Sequence, residues 1–417
     1  MNKPATPSIS LPMEPLGYRA TAARMTVRAG YTNATVHFID KDHLLLTYTQ
    51  KKLVKRSTEQ RETDDDHYVR ALVLHLPDGK IVRETEWRLH DRAQYLWALP
   101  QGHFLLRVRN DLFSLDPLGS FDPEHLGQRL LVEQERDLLT MQFSPSLDVL
   151  LMETVPPRKI GDDPTDGKDQ PVMATFYGVQ IMPDGAVRLV NRGRAESRTP
   201  FTLAFTSMGV LETVKEDRTH WGFDFHSFSG QSIELAGFTS TCRPNSVFVS
   251  DAEFFAFGCR GGEDRRLMGG FNLMAEAKWV FTTDDEPLWL AVDSSVQTGR
   301  FAVRSTLTTV NMQGYDKPDQ DEIRGEEIRV YGNREGDELL RVTATPVQRP
   351  SGNFAMSPDG LRLAVLQGAS LNLYDLPPLS SADRKLHEKE QAALAPIRGA
   401  VTANIAASLS RGAEKRP

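Results

Sequence analysis

One acidic loop supplies the first candidate residues for chemistry. Asp162, Asp163, Asp166 and Asp169 lie within the stretch from Thr154 to Pro171, and clustered carboxylate oxygens suit the hard cation Ca²⁺. Their spacing differs from the D-x-[DN]-x-[DN]-G pattern with a following glutamate that marks an EF-hand loop. The alternative is a solvated acidic loop without an ion, which is the usual fate of a charge run. We therefore predict no resident metal and no cofactor.

The two cysteines lie beside one predicted hairpin. If Val247 pairs with Ala256, Cys259 lies opposite Pro244 and is two residues from Cys242 across the hairpin. This arrangement allows a disulfide, provided that the two Cα atoms lie within about 7 Å. The alternative is a pair of reduced thiols, which we favour because no export signal is visible.

Motifs for nucleophilic catalysis and phosphate binding are absent from the sequence. There is no G-x-S-x-G, no G-x-x-x-x-G-K-[ST], no G-x-G-x-x-G between a strand and a helix, and no H-E-x-x-H. His220 and His226 fall on one predicted strand, six residues and therefore about 20 Å apart, which is too far to share a metal. We therefore expect no catalytic residues.

Composition indicates a globular chain. The 417 residues include 40% hydrophobic and 25% charged residues, and the formal net charge is -7. Without a basic stripe, we expect no nucleic-acid partner. No run approaches the ~18 apolar residues that a membrane-spanning helix needs. Because no signal peptide is visible at the start, we expect a cytoplasmic location, or export if translation begins upstream.

Short apolar runs separated by turn residues recur along the chain and must position any site. The clearest copy is NFAMSPDGLRLAVLQGASLNLYDLP, from Asn353 to Pro377. Its Ser357-Pro358-Asp359-Gly360 stretch is typical of a type I turn followed by a left-handed glycine. The flanking runs predict three antiparallel strands, which cannot bury both faces alone and therefore imply neighbouring sheets.

The pattern occurs seven times. The copies are centred near Phe38, Ala98, Phe143, Phe205, Phe248, Val292 and Phe354. Subtracting these positions gives intervals of 60, 45, 62, 43, 44 and 62 residues, against ~40–45 for a four-stranded propeller blade. We predict an all-β, seven-bladed β-propeller of four-stranded antiparallel blades, with blades starting near residues 34, 94, 138, 200, 245, 287 and 352. The alternatives are a pair of β-sandwiches or a β-helix.

Two copies are incomplete. The second has a poor fourth strand, and the last has none before the composition changes. Because unpaired sheet edges are an aggregation liability, we predict that an N-terminal strand near Gly17 to Arg28 completes the last blade and closes the ring. This divides the chain into a flexible N-terminus (1–16), a propeller (17–379) and a helical or disordered tail (380–417), for which a free tail is favoured over a docking helix.

The last copy resembles a WD-repeat-like or Tol-B-type propeller repeat, through its Ser-Pro-Asp-Gly turn and its Tyr374-Asp375-Leu376 strand end. The resemblance is strongest from Phe354 to Leu376, and the Gly-His and Trp-Asp signatures of WD40 repeats are absent. It implies a propeller and names no activity.

Three long polar insertions fall between the second and third strands of predicted blades one, three and six: Lys51 to His67, Thr154 to Pro171 and Met312 to Glu327. In a four-stranded meander these loops leave from one face of the ring, which often marks the binding face. The candidate binding residues are Arg56, Asp64, Asp65, Asp162, Asp163, Asp166, Asp316, Asp319 and Asp321. The alternative is that the insertions are solvated loops without a partner.

These features predict a monomeric, non-catalytic scaffold that binds a protein or peptide. One alternative is a lactonase- or lyase-like propeller enzyme with a site in the central channel; Asp137, Asn245 and Asn353 lie near the links between blades, and the sequence assigns them no roles. Another is an exported propeller that binds glycan or cell-envelope material, which would require the Cys242–Cys259 pair to be oxidised.

Overall fold

The computed structural model describes residues 5–19, 34–50, 52, 54, 66–89, 94–109, 111–119, 128–132, 137–156, 171–197, 204–260, 266–283, 290–308, 323–332, 334–345, 347 and 352–401. In these segments, seven four-stranded antiparallel sheets form a ring. The chain is therefore a seven-bladed β-propeller, and the predicted fold is confirmed.

The strands follow the chain in blade order. Blades 1 to 3 contain Ala34–Phe38, His43–Thr49, His67–His75 and Ile81–Leu89; then Leu96–Ala98, Phe104–Val108, Asp111–Leu115 and Gln128–Val132; then Asp137–Phe143, Val149–Val155, Val172–Ile181 and Val187–Ser197. Blades 4 and 5 contain Ala204–Phe205, Gly209–Lys215, His220–Ser227 and Ser232–Thr239; then Asn245–Phe248, Glu253–Cys259, Arg266–Asn272 and Ala277–Thr283. Blade 6 contains Val292–Ser294, Phe301–Thr308, Ile323–Tyr331 and Glu338–Ala344, and blade 7 contains Phe354–Met356, Arg362–Gln367, Ser370–Asp375 and the N-terminal Ile9–Pro12. A 3₁₀ turn, Pro100–Gly102, joins the first two strands of blade 2, and an α-helix, α1 (Ser381–Ala393), follows the last blade.

The turn in the last blade forms as its sequence dictates. The Ser357 hydroxyl accepts hydrogen bonds from the Arg362 and Leu361 amides at 2.9 and 3.2 Å. It also donates to Asp359 at 2.6 Å. Gly360 takes a φ of +63°, which costs a residue without Cβ little. The turn therefore reverses the chain and carries no chemistry of its own.

An N-terminal strand closes the ring, but it is not the predicted one. Ile9–Pro12 pairs antiparallel with the third strand of blade 7, with Ile9 opposite Leu373. The alternation of Ile9, Leu11 and Met13 buries the last two side chains against blades 7 and 1. Pro12 is tolerated because an outermost strand has one side without ladder partners. The expectations of a closing strand at 17–28 and a flexible 1–16 segment were therefore wrong, and residues 20–33 lie outside the described residues.

Blade 2 is also complete, contrary to expectation. Its fourth strand, Gln128–Val132, pairs with the third strand Asp111–Leu115. The sequence LDPLGSFDPEHL between them contains two prolines and hides the continuation of the meander.

The core lies between blades. The buried apolar side chains of the described residues form seven clusters, and each cluster joins two neighbouring blades of the ring. Trp87, only 2% exposed, packs between blades 1 and 2, and Trp279 packs between blades 5 and 6. Trp221 donates its indole N–H to the Ser240 carbonyl at 3.0 Å. These tryptophans serve packing, since face-to-face contact is how blades bury sheet surface.

The tail docks on the ring, which corrects the expectation of a free tail. A capping box between Ser380 and Asp383 starts α1. After α1, residues 395–401 form a further helical stretch. Leu394 and Val401, 1% and 4% exposed, enter the apolar cluster between blades 4 and 5. The prediction failed because the anchoring residues lie beyond the thin apolar stripe of α1, and because much of the contact is made by charged groups.

Candidate functional site

Strand bounds define two different faces of the ring. The loops between strands 2 and 3 and the links between blades leave from one face, here called the insertion face. The turns between strands 1 and 2 and between strands 3 and 4 lie on the opposite face, here called the turn face. The three long insertions follow second strands that end at Thr49, Val155 and Thr308, so all of them leave from the insertion face.

The residues chosen from the sequence on the insertion face fall in these loops. Arg56, Asp64, Asp65, Asp162, Asp163, Asp166, Asp316, Asp319 and Asp321 lie outside the described residues. Asp169, the fourth residue of the calcium hypothesis, does so as well.

Ion pairs lie at or within the third strands that follow two of the insertions. In blade 1, the Asp66 side chain is fully covered and accepts a 2.6 Å hydrogen bond from Arg88. In blade 6, the Glu327 carboxylate accepts one from the buried Arg329 at 2.9 Å. Arg341 lies 3.9 Å from the same carboxylate. A buried, hydrogen-bonded ion pair fixes geometry better than an exposed one, so the strands that follow these two insertions are held in defined positions.

The structure describes the side chains of two of the three residues named for the enzyme alternative. Asn353 is fully buried and donates a side-chain hydrogen bond to Glu326 of blade 6. The side chain of Asn245 is exposed. Asp137 begins blade 3, and its side chain is outside the described residues.

The two cysteines are joined by a disulfide in blade 5. Their Cα atoms are 5.4 Å apart, within the usual range for such bonds. The hairpin register differs by one residue from the prediction: Val247 pairs with Phe255, which places Cys259 next to Arg243 and closer to Cys242 than expected. The bond links the entry of the first strand to the end of the second.

The histidines at 220 and 226 each have a separate acidic partner. His220 contacts Asp217 at 2.9 Å, and His226 contacts Glu212 at 3.0 Å. Both pairs are on the surface and remote from each other along the strand, which is consistent with ordinary surface histidines.

A buried charged cluster lies on the turn face, where α1 crosses blade 5. Glu253 and Glu390 are each 1% exposed, and Lys278 forms ion pairs with both. Its Nζ lies 3.1 Å from Glu390 Oε1. Asn272 donates to the same oxygen at 3.3 Å, and Ser250 donates to Glu253 Oε2 at 3.1 Å. Two carboxylates therefore share one ammonium in a buried site.

This environment shifts the ionisation of the helix residues. Burial, followed by the neighbouring Glu253, raises the pKa of Glu390 to about 7, and Lys278 opposes the rise. Burial lowers the pKa of His387, one turn earlier on α1. One atom each from Glu253, His387 and Glu390 lies within 4.8 Å of the others, which is a spacing that a metal ion could bridge.

A small cavity adjoins the cluster at the start of α1. Its volume is about 160 Å³, and it lies between blade 6 and the helix. Charged side chains of both signs line it, with Arg334 3.4 Å from Asp383 across the junction. The nearly buried Arg300 donates to the Gly360 carbonyl at 3.0 Å. Because these charges pair with one another, we interpret the cavity as a packing gap between α1 and blade 6.

Sequence reasoning missed this cluster. The available signal was His387-Glu388-Lys389-Glu390, because residues three apart share one face of a helix. Glu253 and Lys278 are more than a hundred residues away in the sequence, and only the docking of the tail brings them together.

Sequence comparison finds no matching protein-family profile and no matching curated protein. Solved structures with similar folds include an oligogalacturonate lyase in complex with manganese, at 9% identity and a TM-score of 0.44, covering 83% of this chain and 97% of that one. Another is a Pyrococcus horikoshii acylaminoacyl peptidase, at 12% identity and a TM-score of 0.47, covering 85% of this chain and 53% of that one. The C-terminal WD40 domain of Sif2 matches at 10% identity and 0.40, covering 91% and 100%.

At these identities and scores, the similarities assign no function to this chain. In the described part of the chain, no helix combines the length and apolar character needed to cross a bilayer.

Proposed function

We propose that the protein is a non-catalytic scaffold that binds a protein or peptide through its insertion face. One observation carries the proposal: the two faces of the ring are used differently. Three long insertions leave from the insertion face, whereas the chain's own helical segment covers part of the turn face. The loops of a propeller form a broad surface on a rigid frame, and the long insertions all belong to the insertion face.

The charge of the insertions indicates how a partner would be held. All three contain both acidic and basic residues, as in KKLVKRSTEQRETDDDH and MQGYDKPDQDEIRGEE. Mixed charge at the rim of an interface favours selection among partners and faster association more than raw affinity. We therefore expect binding that weakens as the salt concentration rises.

A variant with shortened insertions tests this proposal. Residues 55–65, 157–170 and 309–322 would each be replaced by a short Gly-Ser linker, which leaves the strands and their ion pairs in place. Wild type and variant would be compared by pull-down from a native extract and by affinity measurement with each recovered partner. We expect the triple variant to lose binding while its thermal unfolding stays cooperative.

The matched control changes the turn face. Lys80 and Asp184 are exposed residues in turns between third and fourth strands, and alanine at both positions should leave binding unchanged. Retention of every partner at full affinity by the triple variant would exclude the proposal.

The disulfide bears on the cellular compartment of the proposed scaffold. A disulfide persists in oxidising surroundings and is rare in cytosolic proteins. We infer that the scaffold works outside the reducing cytoplasm, as in the exported alternative, and the Tol-B-type resemblance of Asn353 to Pro377 is retained as part of that proposal. Alkylation of protein purified without reductant, followed by mass measurement, should find no free thiol; two alkylated cysteines would contradict the inference.

A further inference from the structure

The charged cluster on the turn face has the donor set of a metal centre. His387 and Glu390 lie one turn apart on α1, so both side chains leave from the same face of the helix. Glu253, at the start of the second strand of blade 5, faces them. One ligand atom from each residue lies within 4.8 Å of the other two.

Two of these three residues hold buried polar atoms that no described residue satisfies. Both the Oε2 atom of Glu390 and the Nδ1 atom of His387 are buried; among the described residues, Oε2 accepts no hydrogen bond and Nδ1 has no hydrogen-bond partner. Glu390 as a whole is only 1% exposed. A buried polar atom without a partner is costly, and two such atoms in a group of residues with the spacing of metal ligands indicate a ligand.

The imidazole is oriented for coordination. The backbone of Val296 hydrogen-bonds to the His387 ring while Nδ1 stays without a partner. Metal-binding histidines usually use their second nitrogen in this way, which fixes the ring and its tautomer.

We propose that Glu253, His387 and Glu390 bind one divalent transition-metal ion, with Zn²⁺ the best match, and that this ion fastens the C-terminal helix to blade 5. One imidazole and two carboxylates suit zinc, which takes three protein ligands and one water readily. Ca²⁺ and Mg²⁺ prefer sites made entirely of oxygen and fit an imidazole donor poorly.

Lys278 sets the affinity of the site. Its ammonium already balances part of the charge of both carboxylates, and it would repel the ion. Each carboxylate oxygen can accept two partners, so Glu390 Oε2 stays available while Lys278 holds Oε1. The site should therefore bind zinc more weakly than the same three ligands would without the lysine. Substitution of Lys278 by methionine should tighten binding, because the ion would then neutralise carboxylates that are otherwise buried without a counter-charge.

Calorimetric titration of the full chain, stripped with EDTA, tests the proposal with ZnCl₂ as the probe and MgCl₂ as the comparison. We expect one equivalent of Zn²⁺ to bind and Mg²⁺ to give no saturable heat. Glu390→Gln and His387→Gln should each lower the affinity at least about tenfold. Glu388→Gln is the matched control, because Glu388 is exposed on the same helix and its variant should bind as wild type does.

Hydrogen exchange of α1 gives a second readout. Zn²⁺ should slow exchange in the wild type and in Glu388→Gln, and should leave Glu390→Gln unchanged. If the ligand variants fail to fold, Lys278→Met still tests the proposal, because this variant should bind Zn²⁺ more tightly than the wild type.

Three outcomes overturn the proposal. The first is no saturable Zn²⁺ binding by the wild type, whatever the variants do. The second is equal affinity in wild type, Glu390→Gln and His387→Gln, which would place the ion elsewhere. The third is a Lys278→Met variant that binds no more tightly than the wild type.

Discussion

The closing strand makes the most quantitative structural prediction. Met13 follows the strand Ile9–Pro12, is completely buried between blades 7 and 1, and donates its amide to the Ala369 carbonyl at 2.8 Å. Replacing a buried methionine by alanine costs about 2–5 kcal/mol, and least where the site can collapse. Because Met13 lies at the outer edge of its blade, we expect Met13→Ala to lower the free energy of unfolding by about 2–3 kcal/mol.

Glu14→Ala is the control for this experiment, since Glu14 is the exposed neighbour in the same turn and should change stability by less than about 0.5 kcal/mol. Urea unfolding followed by tryptophan fluorescence would measure both variants. A fall of 2–3 kcal/mol is a large share of the roughly 5–15 kcal/mol that stabilises a folded protein, so the midpoint should move clearly. If Met13→Ala and Glu14→Ala are equally stable, the N-terminal strand does not close the ring as described.

Three further predictions follow. The Cys242–Cys259 bond closes a loop with a sequence separation of 17, so its reduction should lower the free energy of unfolding by about 3 kcal/mol. Urea unfolding with and without a phosphine reductant would measure this loss, and a double serine variant that still responds to the reductant would contradict the prediction. Burial lowers the pKa of His37 from 6.5 to about 4, so the unfolded chain takes up a proton before the folded one, and about 3.5 kcal/mol of stability at ~1.4 kcal/mol per pH unit is lost as the pH falls from 6.5 to 4. His37→Leu should abolish that loss in unfolding curves, and an equal loss of stability in both proteins would refute the prediction. Leu394→Ala should release the tail from the cluster between blades 4 and 5 and speed proteolytic cleavage of α1 at least tenfold, whereas an unchanged cleavage rate would mean that the apolar anchor is not needed.

The fold was largely predictable because each blade repeats the same physical pattern. A turn such as Ser357 to Gly360 is set by local chemistry, and short apolar strands on either side need neighbours. Seven repeats at blade spacing then leave few architectures that bury their faces. The closing strand was misplaced because Ile9–Pro12 is only four residues long and ends in a proline, and its strand character depends on pairing with Ser370–Asp375.

The candidate site on the turn face was not predictable from local sequence. The helix neighbours of Glu390 are charged and predict a solvated stretch. Its burial depends on Lys278 and Glu253 of blade 5, which lie more than a hundred residues earlier in the sequence. A buried ion network has no periodic signature, unlike an apolar stripe, because its partners are set by docking. The disulfide lies between these cases: a hairpin brings Cys242 and Cys259 together, but a one-residue change of register decides how closely.

Site-specific photo-crosslinking tests the central claim most directly, because it asks which face a partner touches. Glu196 and Asp184 are exposed residues near opposite ends of the fourth strand of blade 3: Glu196 at the insertion face, opposite Met173, and Asp184 in the turn on the turn face. A photoreactive phenylalanine analogue would be placed at each position in turn and irradiated in the native extract. The account predicts a light-dependent adduct with a partner protein from position 196 and none from position 184. Adducts from position 184 alone, or equally from both, would contradict it.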